Sequence, residues 1–176
     1  MDCYIALLRG INVGGHKKIL MADLKSIFVS LGFEKVITYI QSGNVVFNAS
    51  EKELDLSNKI SEAIDAKYSF NVPVLVKKAS ELNQIVSKCP FSDEKREKSY
   101  FILLKENPSK ENMDITAAFS STKEEFSITK NCIYIYYATG AGKAKMGINF
   151  FEKKLEVDAT ARNYRSMTKL ITLAGL

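Results

Sequence analysis

Apolar positions along this chain alternate between short runs of strand length and stretches of helical spacing. YIALL at residues 4–8 is an unbroken apolar run of strand length. Met21, Leu24, Ile27, Phe28 and Leu31 then recur at helical spacing until Gly32 stops them. VITYIQ from Val36 and NVVF from Asn44 are β-rich and join through Ser42 and Gly43, which predicts a hairpin. SEKE at residues 50–53 has the form of a capping box and opens a helix with Leu56, Ile60, Ala63, Ile64 and Tyr68 on one face. VPVLVKK from Val72 closes the series as a strand. The resulting order of strand, helix, strand, strand, helix, strand is that of the ferredoxin-like split βαβ arrangement.

After a short helix carried by Leu82, Ile85 and Val86, the mixed charge run KCPFSDEKREK at residues 88–98 marks a boundary. The order then begins again. YFILLK from Tyr100 reads as a strand, and Asn107 with Pro108 as an N-cap and first-turn proline. EFSIT from Glu125 and CIYIYYA from Cys132 form a hairpin about Lys130 and Asn131, and a helix follows through Ile148, Phe151 and Leu155. No further strand stands out: VDATARNYR from Val157 leads directly to a last helix with Met167, Leu170, Ile171 and Ala174 on one face and Gly175 beyond. The predicted fold class is α+β, with two tandem ferredoxin-like units of the βαββα type and antiparallel sheets. An internal duplication would relate residues 1–88 to residues 89–176.

Charge adds a direction to this picture. The net charge is +5. Residues 140–176 carry seven basic groups against three acidic ones, and residues 1–20 three against one, so positive potential gathers at the two ends of the chain and points to an anionic partner. The apolar run after Met1 is too short for a secretory signal or a membrane span, so a cytoplasmic location and no membrane partner are expected. Cys3, Cys89 and Cys132 are widely spaced and His16 is the only histidine, a pattern of reduced thiols that offers no metal site and no cofactor motif.

Three stretches could hold an anion. In LRGINVGGHKK at residues 8–18, Gly14 and Gly15 permit positive φ, Arg9, Lys17 and Lys18 bring charge, and Asn12 a side-chain amide. The spacing misses a Walker A loop, because His16 stands where lysine is required, and there is no Gly-x-Gly-x-x-Gly. QSGN at residues 41–44 offers Ser42 and Asn44 beside a glycine. ATARNYR places Asn163 as N-cap of the last helix, with Arg162 and Arg165 at a terminus where the dipole favours anions rather than arginines. Each stretch also has a plain structural explanation: a glycine-rich connector, a bare turn, and arginines paired with Glu152, Glu156 or Asp158.

Residues 8–47, LRGINVGGHKKILMADLKSIFVSLGFEKVITYIQSGNVVF, together with ATARNYRSMTKL, resemble the bacterial family known as domain of unknown function 1697. His16 and Tyr164 stand where that family commonly has lysine and tryptophan. The resemblance implies a two-part α+β protein of ferredoxin-like pieces and no established activity. The expected function is binding of a phosphate- or carboxylate-bearing ligand, such as a nucleotide or nucleic acid, in a polar cleft between the units. Arg9, Asn12, Gly14, Gly15, Lys17, Ser42, Asn44, Arg162, Asn163 and Arg165 would be its residues. RNA binding on the sheet face is disfavoured, because Asn44 and Val46 stand where exposed aromatics would be needed. Two alternatives stay open: an enzyme on a small anionic metabolite, for which only His16 offers an unperturbed near-neutral proton acceptor, and an interaction module whose loops dock the halves.

Overall fold

Eight strands and seven helices alternate through residues 1–176 of a computed structural model. They divide into two compact units, Met1–Gln84 with Lys169–Leu176, and Ile85–Thr168. The last eight residues thus group with the first unit rather than with the segment that precedes them.

In the first unit β1 (Asp2–Leu8), α1 (Met21–Ser30), β2 (Glu34–Tyr39), β3 (Asn44–Ala49), α2 (Glu53–Tyr68) and β4 (Val74–Lys78) form a four-stranded sheet in the order β2-β3-β1-β4, antiparallel throughout. α1 buries Leu24, Ile27 and Phe28, and α2 buries Leu56, Ile60 and Ile64. Phe28, Phe33 and Phe47 meet at the centre of this core with ring centroids 4.8 to 5.8 Å apart, a geometry worth about 0.5–1.5 kcal/mol per pair beyond burial. Residues 4–8 of β1 are all 3% exposed or less, so the unbroken apolar run of YIALL marks a strand buried on both faces. α1 ends at Gly32 as expected. At φ +84° the glycine lets its own N–H reach Val29 O and the Phe33 N–H reach Phe28 O, a Schellman closure.

The capping box expected at Ser50 does not form. The N-cap of α2 is Lys52, without a side-chain cap, and Glu53 instead accepts the backbone N–H of Lys78 at 2.9 Å. The amide at the end of β4 has taken the carboxylate that the box would have used.

α3 (Ala79–Ser87) and the short α4 (Asp93–Glu97) lead into the second sheet. Here β5 (Ser99–Leu104), α5 (Lys110–Ala117), β6 (Glu124–Ile128), β7 (Cys132–Tyr137), α6 (Ile148–Leu155) and β8 (Ala159–Asn163) give the strand order β6-β7-β5-β8, again antiparallel. Ile102, Ile133, Ile135, Phe151 and Leu155 anchor its core. Two sequence expectations change. ATARN is a strand: it pairs with β5 from Leu104↔Ala159 to Tyr100↔Asn163, and sheet pairing overrides its weak intrinsic preference. α5 starts two residues later than expected, with Ser109 as N-cap accepting from the Asn112 N–H at 3.1 Å. α7 (Tyr164–Leu173) follows β8 without a break. The fold is α+β, with two four-stranded antiparallel sheets that each carry helices.

Candidate functional site

The opening loop of the first unit is a small hairpin of its own. The His16 N–H donates to Val13 O at 3.0 Å across Gly14 (φ +58°) and Gly15 (φ +79°), and the Asn12 N–H donates to Lys17 O at 3.1 Å. Positive φ at both central residues is the requirement of a type I′ turn, which Gly-Gly meets without strain. The two glycines therefore form the tip of a tight turn, and α1 begins only at Met21.

Asn12 ties this loop down. Its Nδ2 donates to Ile19 O at 3.0 Å and to Gln41 O at 2.8 Å, while its Oδ1 accepts the Ile19 N–H at 2.9 Å. Its φ of +55° lies in the left-handed region, which asparagine tolerates better than most side chains. Through the Gln41 carbonyl, LRGINVGG and QSGN become one structure. Lys17, also left-handed at φ +46°, donates from Nζ to Asn71 O at 2.6 Å. Arg9 closes β1, its backbone N–H donating to Pro73 O.

QSGN works from inside. Asn44 is fully buried, and its Nδ2 donates to Tyr39 O and to Ser42 Oγ, each at 3.0 Å. Gly43 sits at φ +80°, and a Cβ there would meet Leu8 Cβ at 2.7 Å and Ile11 Cδ1 at 2.8 Å. This turn is pressed onto the end of β1 and holds the Gln41 carbonyl under Asn12.

Beside the two loops lies a groove of about 630 Å³ lined by Asn12, Gly15, Lys18, Ile19, Leu20, Met21, Asp23, Gln41 and Tyr68. The first turn of α1 opens onto it. Leu20, the N-cap, makes no side-chain cap, and the first amides of a helix have no partner within it, so that end attracts negative charge. Lys18 is exposed at its rim. On the far wall the Tyr68 hydroxyl donates to Asp23 at 2.9 Å, and Lys67 Nζ stands 3.7 Å from the same carboxylate. Burial, and next the Asp23 carboxylate, raise the Tyr68 phenol above its ordinary pKa. Of the residues the sequence singles out as ligand groups, Asn12 and Gly15 line the groove. Ser42, Asn44 and Lys17 brace the loops beside it, Gly14 is the turn tip, and Arg9 stands at the end of β1 outside the lining. Asp23 gives no sign in the sequence, and Tyr68 reads there only as part of the apolar face of its helix.

Arg162, Asn163 and Arg165 belong to the second unit. Asn163 is the helix cap the sequence predicts, its Oδ1 accepting the Ser166 N–H at 2.8 Å. Arg162 lies on β8, where Nη1 donates to Ala161 O at 2.9 Å and burial pushes the guanidinium pKa down to about 10. Arg165 is exposed. Tyr164 stacks on Phe101 with centroids 6.3 Å apart, and the Arg96 guanidinium lies 6.0 Å from its ring centroid. No helix is long and apolar enough to cross a membrane.

Among solved structures, the chain is similar to one described as the structure of conserved bacterial protein SP0830 from Streptococcus pneumoniae. The TM-score is 0.74 at 20% sequence identity, covering 98% of this chain and 98% of that one, which shows a shared fold. No curated protein matches the chain. The family described as protein of unknown function (DUF1697) matches residues 1–134, and the chain therefore belongs to that family.

Proposed function

We propose that this protein binds an anionic ligand, bearing phosphate or carboxylate, in the groove of the first unit. The single observation that carries this reading is that Lys18, Gly15 and the uncapped first turn of α1 open on the same groove. A cation and a helix N-terminus then border the same groove. Asp23 lines the groove as well, but its charge is already answered by Tyr68 and Lys67. The groove size lies within the range of small-molecule sites. Asn12, Ser42 and Asn44 act as positioning residues that fix the loop before a ligand arrives, which reduces the ordering cost of binding.

The test is a calorimetric titration with inorganic phosphate, pyrophosphate and nucleotides, on the natural chain and on Lys18→Glu. Binding that falls at least tenfold in the variant, on the order of 1.4 kcal/mol, supports the assignment. Equal affinity in both proteins, or no heat with any anion, refutes it.

We infer further that the two units derive from one ferredoxin-like ancestor by duplication. The support is that βαββαβ order and the same strand order recur in both sheets. A cytoplasmic location is part of the same proposal.

A further inference from the structure

The second unit has its own groove, on the loop between α5 and β6, and the basic surplus of residues 140–176 reaches it. Ser121 organises that loop: its hydroxyl donates to Glu124 and accepts the backbone N–H groups of Lys123 at 3.1 Å and Glu124 at 3.3 Å. The Phe119 N–H donates to Thr116 O at 3.1 Å, which closes the end of α5. So anchored, Phe119 is still 39% exposed, with Lys154 and Phe150 taking only part of its ring. Lys154 Nζ lies 4.5 Å from its centroid, and Phe150 meets it edge-on at 5.4 Å.

The groove measures about 450 Å³, and Phe119, Tyr136, Lys95, Lys123, Ser120 and Thr122 stand along it. Its two carboxylates are each engaged. Glu125 accepts from Lys95 Nζ at 2.5 Å, with that ammonium 5.6 Å from the centroid of Tyr136. Glu124, 6% exposed, accepts from Ser121 and from the Lys145 N–H at 2.8 Å. What faces a ligand is therefore aromatic surface, hydroxyls, and the charge of Lys123 with Lys154 behind it.

We infer that this groove binds the base-and-phosphate unit of a nucleotide, either free or within a single-stranded nucleic acid. An exposed ring, Phe119, beside lysines and a half-buried tyrosine is what such ligands use: bases stack on ring faces and phosphates follow the cations. The mode is distinct from readout on the sheet, whose central strands are buried, residues 101–104 and 132–135 being at most 3% exposed. It is also independent of the anion groove in the first unit.

The experiment is fluorescence anisotropy with a labelled single strand of about eight nucleotides at low salt, competed in separate arms by adenosine monophosphate and by polyglutamate. Thermal melting confirms that each variant is folded. Phe119→Ala is expected to weaken binding about 5- to 150-fold, and Lys123→Glu to weaken it and flatten its salt dependence. Competition by the mononucleotide assigns the site to free nucleotides; binding of the strand alone assigns it to single-stranded nucleic acid. Absence of binding, native affinity in Phe119→Ala, or equal competition by polyglutamate would overturn the inference.

Discussion

Gly43 carries a steric constraint that its neighbours in sequence do not reveal. A backbone at φ +80° already favours glycine, and the 2.7 Å approach to Leu8 Cβ leaves no room for a methyl group. Gly43→Ala is therefore expected to cost at least about 2 kcal/mol of stability, measured by urea denaturation. The permissive φ was legible in SGN; the packing was not, because it depends on the end of β1. Tyr137 gives a second residue-scale prediction. Burial above all, with Tyr100 and Glu124 adding to it, pushes its phenol pKa from an ordinary value near 10 up to about 12, and its hydroxyl donates to Met146 O at 3.2 Å. Between those values the unfolded chain has released a proton that the folded chain retains. Stability is thus fully present below pH 10 and falls as pH rises toward 12. Tyr137→Phe should lower the steepness of that fall by up to one proton, about 1.4 kcal/mol per pH unit. An unchanged slope in denaturation curves across that range would contradict the assignment.

The hairpin at residues 12–17 turns on its glycines and is anchored by Asn12. Three hydrogen bonds from one side chain link this loop to Ile19 and to Gln41. Asn12→Ala is expected to cost about 1–3 kcal/mol and to raise amide exchange locally through residues 12–19, with β1 and β3 still protected. Uniform loss of protection across the sheet would contradict a local role. Helix and strand positions were largely legible because a two-residue or 3.6-residue period survives wherever one face is buried. Ends were less so. The cap at Asn163 stood in the sequence, whereas Ser50 lost its box when Glu53 turned to Lys78. β8 was hidden because ATARN acquires strand structure only by pairing with β5.

Two antiparallel sheets with one strand order recur in a chain of 176 residues, and each unit carries one of the two proposed ligand surfaces. Each surface lies on loops beside a sheet whose central strands are buried, which leaves recognition to the connecting segments. The charge distribution was legible from residue counts, and so was the positive φ of the glycines in the opening loop. The route by which Asn12 and Gln41 join two motifs was not, because a side-chain-to-carbonyl bond across 29 positions has no sequence period. The proposed function places an anion in the first-unit groove. Its most direct test is a titration of the isotopically labelled protein with pyrophosphate, followed by two-dimensional amide NMR. Saturable shifts confined to the amides of Gly15, Lys18 and the first turn of α1, and lost in Lys18→Glu, are the predicted result. Unmoved amides at those positions, or saturable shifts only elsewhere, would contradict it.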